Sequence, residues 1–157
     1  MSLIYVDPNS GGKLFQAGKN EIRKIISDNN ISILILAADE YQQDELELYE
    51  GPDPFPGVVK FFVPLDDGDK LSSREIRSAK NVANLASISI RNGNNVLSTC
   101  WEGRNRSGLV SGFTLRKLTG CNGIRAIWQI KKNRRTPLGE ALTNSYFRQL
   151  LVFDDNR

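Results

Sequence analysis

The chain of 157 residues contains no histidine. That absence removes Ser-His-Asp and Cys-His hydrolases, histidine-liganded metal sites and histidine general acids together, and it leaves carboxylates to carry protons. Cysteine is nearly as scarce: Cys100 and Cys121 are the only two, too few for a secreted disulfide scaffold. No apolar run approaches the ~20 residues that cross a bilayer. Met1 is not followed by a basic segment and an apolar stretch of signal-peptide length. The expectation is a soluble, cytoplasmic protein without a membrane partner, in a reducing setting that keeps a thiol reactive. The net charge of +3 is small and dispersed, and by itself it predicts neither nucleic-acid nor membrane binding.

What is present suits a single domain over residues 1–157. Leu3–Val6 and residues 13–16 read as short strands around the turn Pro8-Asn9-Ser10-Gly11-Gly12, forming an edge at most. Residues 19–28 carry Ile22, Ile25 and Ile26 at helical spacing, and Ile31–Leu36 is apolar enough for a strand buried on both faces. Residues 44–56 are acidic, aperiodic and broken by Pro and Gly, which predicts an exposed connection. A strand at 58–63 then delivers the loop Pro64-Leu65-Asp66-Asp67-Gly68-Asp69.

Ser72 and Glu75 stand at capping-box spacing, and the stripe Ile76, Ala79, Val82, Ala83, Ala86, Ile90 predicts a helix ending near Asn92-Gly93. A strand at 95–99 and a helix at 107–119 flank the next loop. Gly108 and Gly112 are expected to let that helix approach the sheet closely, and Gly120 ends it. Gly123–Asn133 and a last helix opened by Thr136-Pro137 complete the chain. The fold class expected is α/β, with a central mixed, mostly parallel sheet of four to five strands flanked by helices.

The chemistry is concentrated in residues 100–108, CWEGRNRSG. If a strand precedes it and a helix follows, the loop's N–H groups and the helix's positive end converge beside Cys100, which favours an anion there and a thiolate over a thiol. Arg106 offers a planar fork for two phosphate oxygens. Gly103 stands where a tight anion nest needs a positive φ or close backbone approach. Ser107 can donate its hydroxyl to the Cys100 sulfur as a leaving group. A phosphate ester also needs a proton for its departing oxygen, and Asp66, Asp67 and Asp69 are the candidate donors. The site set is thus Cys100, Arg106, Ser107 and one of these three aspartates for catalysis, with Trp101, Glu102, Gly103, Arg104, Asn105 and Arg106 cradling phosphate; neither metal nor cofactor is required.

The chain resembles the dual-specificity branch of the cysteine-dependent protein phosphatases. Cysteine, five residues, arginine and serine match Cys100, Arg106 and Ser107, with Gly103 between. Leu14-Phe15-Gln16-Ala17-Gly18, Ile35-Leu36-Ala37, Val63-Pro64-Leu65-Asp66-Asp67 and Asn144-Ser145-Tyr146-Phe147-Arg148-Gln149-Leu150 resemble family segments in the same order. The resemblance implies a protein-tyrosine-phosphatase-like fold, a phospho-cysteine intermediate and a phosphorylated protein as substrate. It places the acid three or four positions after an Ile-Pro-like pair, hence Asp67 first and Asp66 second. Thr99 departs from the histidine that usually precedes the nucleophile. A threonine carries no titratable charge, which implies an enzyme that works at an altered rate.

Rival readings stand beside this one. Asn105-Arg106-Ser107-Gly108 is similar to the loop ending of some relatives that act on RNA, so an RNA 5′-triphosphatase acting on an RNA 5′ end is the alternative enzyme. A catalytically weak phosphate-binding module is the non-enzymatic alternative, and a sulfur-transferring rhodanese fits the flanks less well. Cys121 reads as a core thiol, ~20 Å from Cys100 along a helix. Trp101 and Arg104 point to the pocket rim or to neighbouring structure. Lys131, Lys132, Arg134 and Arg135 read as a solvated helix end.

Overall fold

The computed structural model describes residues 1–38 and 52–154. Strands β1 (Leu3–Val6), β2 (Lys13–Gly18), β3 (Ile31–Leu36), β4 (Val59–Phe62) and β5 (Asn95–Cys100) form one sheet in the order β1-β2-β5-β3-β4. Only β1 and β2 pair antiparallel; every other neighbour is parallel, as the mixed, mostly parallel expectation requires. The helices are α1 (Ile22–Asp28), α2 (Ser73–Arg91), α3 (Arg106–Thr119), α4 (Gly123–Asn133) and α5 (Ser145–Phe153). Among the described residues no helix is long and apolar enough to cross a membrane.

Strand side chains alternate between two cores, the period of a pleated chain. Leu14, Ile35 and Val96 join the core shared with α2, α3, α4 and α5, while Phe15, Leu34, Leu36 and Leu97 join a smaller one shared with Ile22 and Ile25 of α1. The sheet is therefore covered on both faces, which explains the unbroken apolar runs in its central strands. The capping box forms as its spacing predicts: Glu75 N–H donates to Ser72 Oγ at 3.1 Å and Ser72 N–H to Glu75 Oε1 at 3.0 Å.

Several expectations need correction. β2 is an interior strand, not an edge: it pairs with β5 from Leu14 opposite Val96 to Gly18 opposite Cys100. Its last residues were hidden from a periodicity argument by their small side chains. The helix expected at 19–28 divides into a 3₁₀ turn, Lys19–Glu21, and α1. Glu21 is diverted there to accept the Gly18 N–H at 3.1 Å.

The exposed connection at 44–56 lies mostly outside the described residues, but Phe55 within it is buried in the smaller core. Thr136-Pro137 opens no helix. Arg135–Thr136 (β6) and Gly139–Glu140 (β7) pair as a hairpin in which Pro137 is a turn residue and Gly139 takes a φ of 124°. Helix α5 starts later, where Asn144 Oδ1 accepts the Phe147 N–H at 3.2 Å as a side-chain cap. Gly108 and Gly112 do allow close packing, most tightly against Leu142 and Leu151 of the closing segment, where a Cβ would lie 2.8 or 2.6 Å from those side chains; at Gly108 it would also meet Gln16 of β2 at 3.5 Å.

Candidate active site

β5 is the middle strand of the sheet, and it ends at Cys100 on the carboxyl edge of its parallel neighbours, with Gly18 beside Cys100 and Leu36 beside Thr99. Loops at that edge form the crevice in which open α/β sheets bind ligands. Thr99 donates its hydroxyl to Ile35 O at 2.6 Å, bracing β5 against β3. Residues 101–105 curl from the strand end to the first turn of α3, which begins at Arg106.

The direction of the curl's dipoles follows from where its carbonyls are bonded. Trp101 O accepts from Lys19 N–H at 3.1 Å, and Glu102 O from Arg134 Nη2 at 3.2 Å. Gly103 O accepts from both Gln16 Nε2 at 3.0 Å and Arg134 Nε at 2.9 Å. Arg104 O accepts from Leu142 N–H at 3.1 Å, and Asn105 O from Leu109 N–H at 2.8 Å. Among the described residues no peptide bond is cis, and in a trans peptide the N–H points opposite to the C=O. Outward carbonyls at 101–105 therefore aim the N–H groups of 102–106 toward the inside of the curl, an anion nest at a helix N-terminus. Gly103 has φ 72°, and a Cβ there would collide with backbone atoms of Ala17 and Gly18.

Inside the curl, Cys100 is 2 % exposed, and its Sγ lies 3.1 Å from Ser107 Oγ. Ser98 Oγ donates to Ser107 O at 3.0 Å and fixes the turn that carries it. Arg106 has one long contact, Nη1 to Leu65 O at 3.5 Å, and its Nε is buried without a protein partner. A buried guanidinium N–H left unpaired is costly, and an oxyanion would satisfy it.

Cys100, Arg106 and Asp67 line one cavity of about 120 Å³, together with Trp101, Glu102, Arg104 and Asn105. At ~30 Å³ per water it has room for about four, the scale of one tetrahedral oxyanion. Asp67 is held at its mouth: Asn144 Nδ2 donates to Oδ1 at 2.9 Å and Asn105 Nδ2 to Oδ2 at 3.3 Å. Asp66 and Asp69 do not line the cavity. The Asp66 N–H instead donates to Glu75 Oε2 at 3.2 Å. The Ser72 N–H, then burial in opposition, then the Asp66 N–H act on Glu75, and the outcome holds its carboxyl below the usual range.

Arg104, on the rim, turns to neighbouring structure: Nε donates to Glu140 O at 2.9 Å and Nη1 pairs with Glu102 at 3.2 Å. The Trp101 ring lies under the Lys19 ammonium, 3.3 Å from its centroid. Cys121 is free and half-buried against the larger core, and its sulfur lies 4.0 Å from Leu115 O. Among the described residues no group of three or more His, Cys, Asp or Glu is placed to hold a metal ion.

Arg134 is the principal residue that sequence reasoning missed. Far from a solvated helix end, its side chain is 1 % exposed and pairs with Glu21 at 2.6 Å. A signal existed: 126, 130 and 134 are successive i+4 positions, and the first two are the buried Ala126 and Ile130. Burial opposes the charged form of Glu21, but hydrogen bonds from Arg134 and the Gly18 N–H outweigh it and hold the carboxyl below its ordinary value.

No protein-family model matches the chain, and no curated protein sequence matches it. Solved structures do. The crystal structure of human DUSP28 superposes with a TM-score of 0.68 at 17% identity over 96% of this chain and 93% of that one. DUSP15 gives a TM-score of 0.68 at 20% identity, covering 95% of this chain and 84% of its own. Tk-PTP in its active form gives 0.68 at 20%, covering 96% and 93%. The fold of this chain is that of the dual-specificity phosphatases.

Proposed function

We propose that this protein hydrolyses phosphomonoesters through a phospho-cysteine intermediate, with phosphotyrosine, phosphothreonine or phosphoserine in proteins as substrate. The observation that carries the reading is the joint lining of one small cavity by Cys100 and by Arg106, whose Nε has no protein partner. Likeness in fold to phosphatase structures supports it.

In the first step Cys100 Sγ attacks phosphorus and the P–O ester bond breaks. Asp67 gives its proton to the departing oxygen while Arg106 and the N–H groups of 102–106 hold the non-bridging oxygens. In the second, water attacks phosphorus and Asp67 takes its proton. The P–S bond breaks, Ser107 Oγ–H stabilises the departing sulfur, and inorganic phosphate leaves. Having given up its proton in the first step, Asp67 is left as the carboxylate that takes the water's proton in the second.

Turnover of a small aryl phosphate and of phosphopeptides by the wild type, lost in Cys100→Ser, is the test. Full activity in the serine variant refutes the mechanism. Phosphate released from triphosphate-ended RNA but not from phosphopeptides would instead favour the RNA reading.

A further inference from the structure

A second, larger cavity of about 430 Å³ adjoins the first and shares Trp101 and Glu102 with it. Its walls come from Lys19 and Glu21 on one side and Thr136, Pro137 and Leu138 of the β6–β7 hairpin on the other. The hairpin is anchored: Arg104 Nε holds Glu140 O at 2.9 Å, Lys131 pairs with Glu140 at 3.2 Å, and Thr136 Oγ1 donates to Gly139 O at 3.0 Å. Yet its tip presents Leu138 at 64 % exposure. A single exposed leucine is ordinary, but this one sits on a braced turn and lines the same groove as Trp101. Of the groove's charged groups, Glu21 is paired with Arg134, Glu102 with Arg104, and the Lys19 ammonium lies against one face of the Trp101 ring, which leaves the rest of the ring and Leu138 to meet an apolar guest.

We infer that this groove is a subsite for an apolar side chain next to the phosphorylated residue of a peptide substrate, gripped between Trp101 and Leu138. The inference rests on the phosphatase reading, because the groove's meaning comes from its continuity with the phosphate cavity. Trp101 follows Cys100 directly, one Cα step of ~3.8 Å, so the groove starts where residues flanking a bound phosphoresidue must lie. Its volume falls in the ~300–1,000 Å³ range of ligand sites and exceeds one side chain. A partly open apolar groove of this kind discriminates leucine or phenylalanine from serine or aspartate by about tenfold.

The experiment measures binding of fluorescent phosphotyrosine peptides to Cys100→Ser by anisotropy, with the peptides differing only at the residues flanking phosphotyrosine. Leucine and phenylalanine peptides should bind about tenfold more tightly than serine or aspartate peptides. Adding Leu138→Ser should bring that ratio close to one. Because Leu138 is exposed, the double variant should melt with its parent. A flat peptide series overturns the inference, and so does a preference that survives Leu138→Ser. Turnover by the wild type is scored separately, so peptide preference without turnover removes the hydrolase reading and keeps the groove, while turnover with a flat series does the reverse.

Discussion

Replacing Arg134 with methionine preserves most of the buried volume and removes every polar contact, so it isolates what the guanidinium holds. Glu102 O loses its donor in a part-buried position, a cost of about 1–3 kcal/mol. Gly103 O keeps Gln16 Nε2 at 3.0 Å and forfeits one net hydrogen bond, about 1 kcal/mol. Glu21, its side chain 41 % exposed, returns to water, and that pair is discounted for screening to about 0–1 kcal/mol. Met1 O also loses the Nη1 donor, at the exposed start of the chain where water replaces it at little cost, and together these amount to about 3 kcal/mol. For a chain of this size the melting temperature should fall by about 6–12 °C.

The catalytic effect should exceed the stability effect. Once the Glu102 and Gly103 carbonyls are released, the Gly103 and Arg104 N–H groups no longer point reliably into the curl. Loss of one oxyanion donor costs about 100-fold in rate. Activity on a small aryl phosphate, assayed well below the melting temperature, should therefore drop by about 100-fold, and vanadate should bind correspondingly more weakly. Arg134→Lys keeps the charge but not the fork, and should recover stability better than rate. Wild-type kcat/KM in Arg134→Met, with the expected loss of melting temperature, would refute the argument that this residue aims the loop.

Gly103→Ala forces a Cβ onto the Ala17 and Gly18 backbone at positive φ; by calorimetry it should lose about 2–4 kcal/mol, along with phosphate binding. Asp67→Asn should lower kcat on phosphopeptides by about 100-fold or more in steady-state assays, whereas Asp66→Asn should leave it near the parent value. Asn144→Ala frees Asp67 Oδ1 and should lower kcat without changing vanadate affinity. Glu75 and Glu21 are held below their ordinary values in the fold, so the unfolded state binds more protons. Their stabilisation is complete above the unfolded value near 4.5 and disappears as pH falls through the depressed folded values. Denaturant titrations from pH 6 to pH 3 should show a shallower decline in Glu75→Gln than in the parent.

What the sequence made legible was local. Cys100, Gly103, Arg106 and Ser107 fall within eight consecutive residues, and their roles depend on one strand, one turn and one helix start, each with a short-range signature. The Ser72–Glu75 box is legible for the same reason. Spacing alone left three aspartates open and the family resemblance set Asp67 first; of the three, Asp67 alone lines the cavity.

The supports of the loop were not legible, because each meets its partner across a long stretch of chain. Arg134 is 113 positions from Glu21 and 31 from Gly103, and Gln16 is 87 from Gly103. A run of basic residues after a helix looks solvated until the far partner is known. Pro137 misled for a related reason, since proline suits both the first turn of a helix and the corner of a hairpin, and only pairing across Gly139 decides between them.

The long spans bridged by Arg134 also bear on how the molecule matures. Contacts between distant positions form late in folding, after local helices and turns, because chain closure must be completed before they stabilise anything. A nascent or partly unfolded chain can thus hold the strand, the curl and the first turn of α3 while its carbonyls remain unanchored. On the proposed mechanism, the loop takes its final shape around Cys100 only when the closing third of the polypeptide docks against its opening segment, which makes thiol reactivity a report on completed folding.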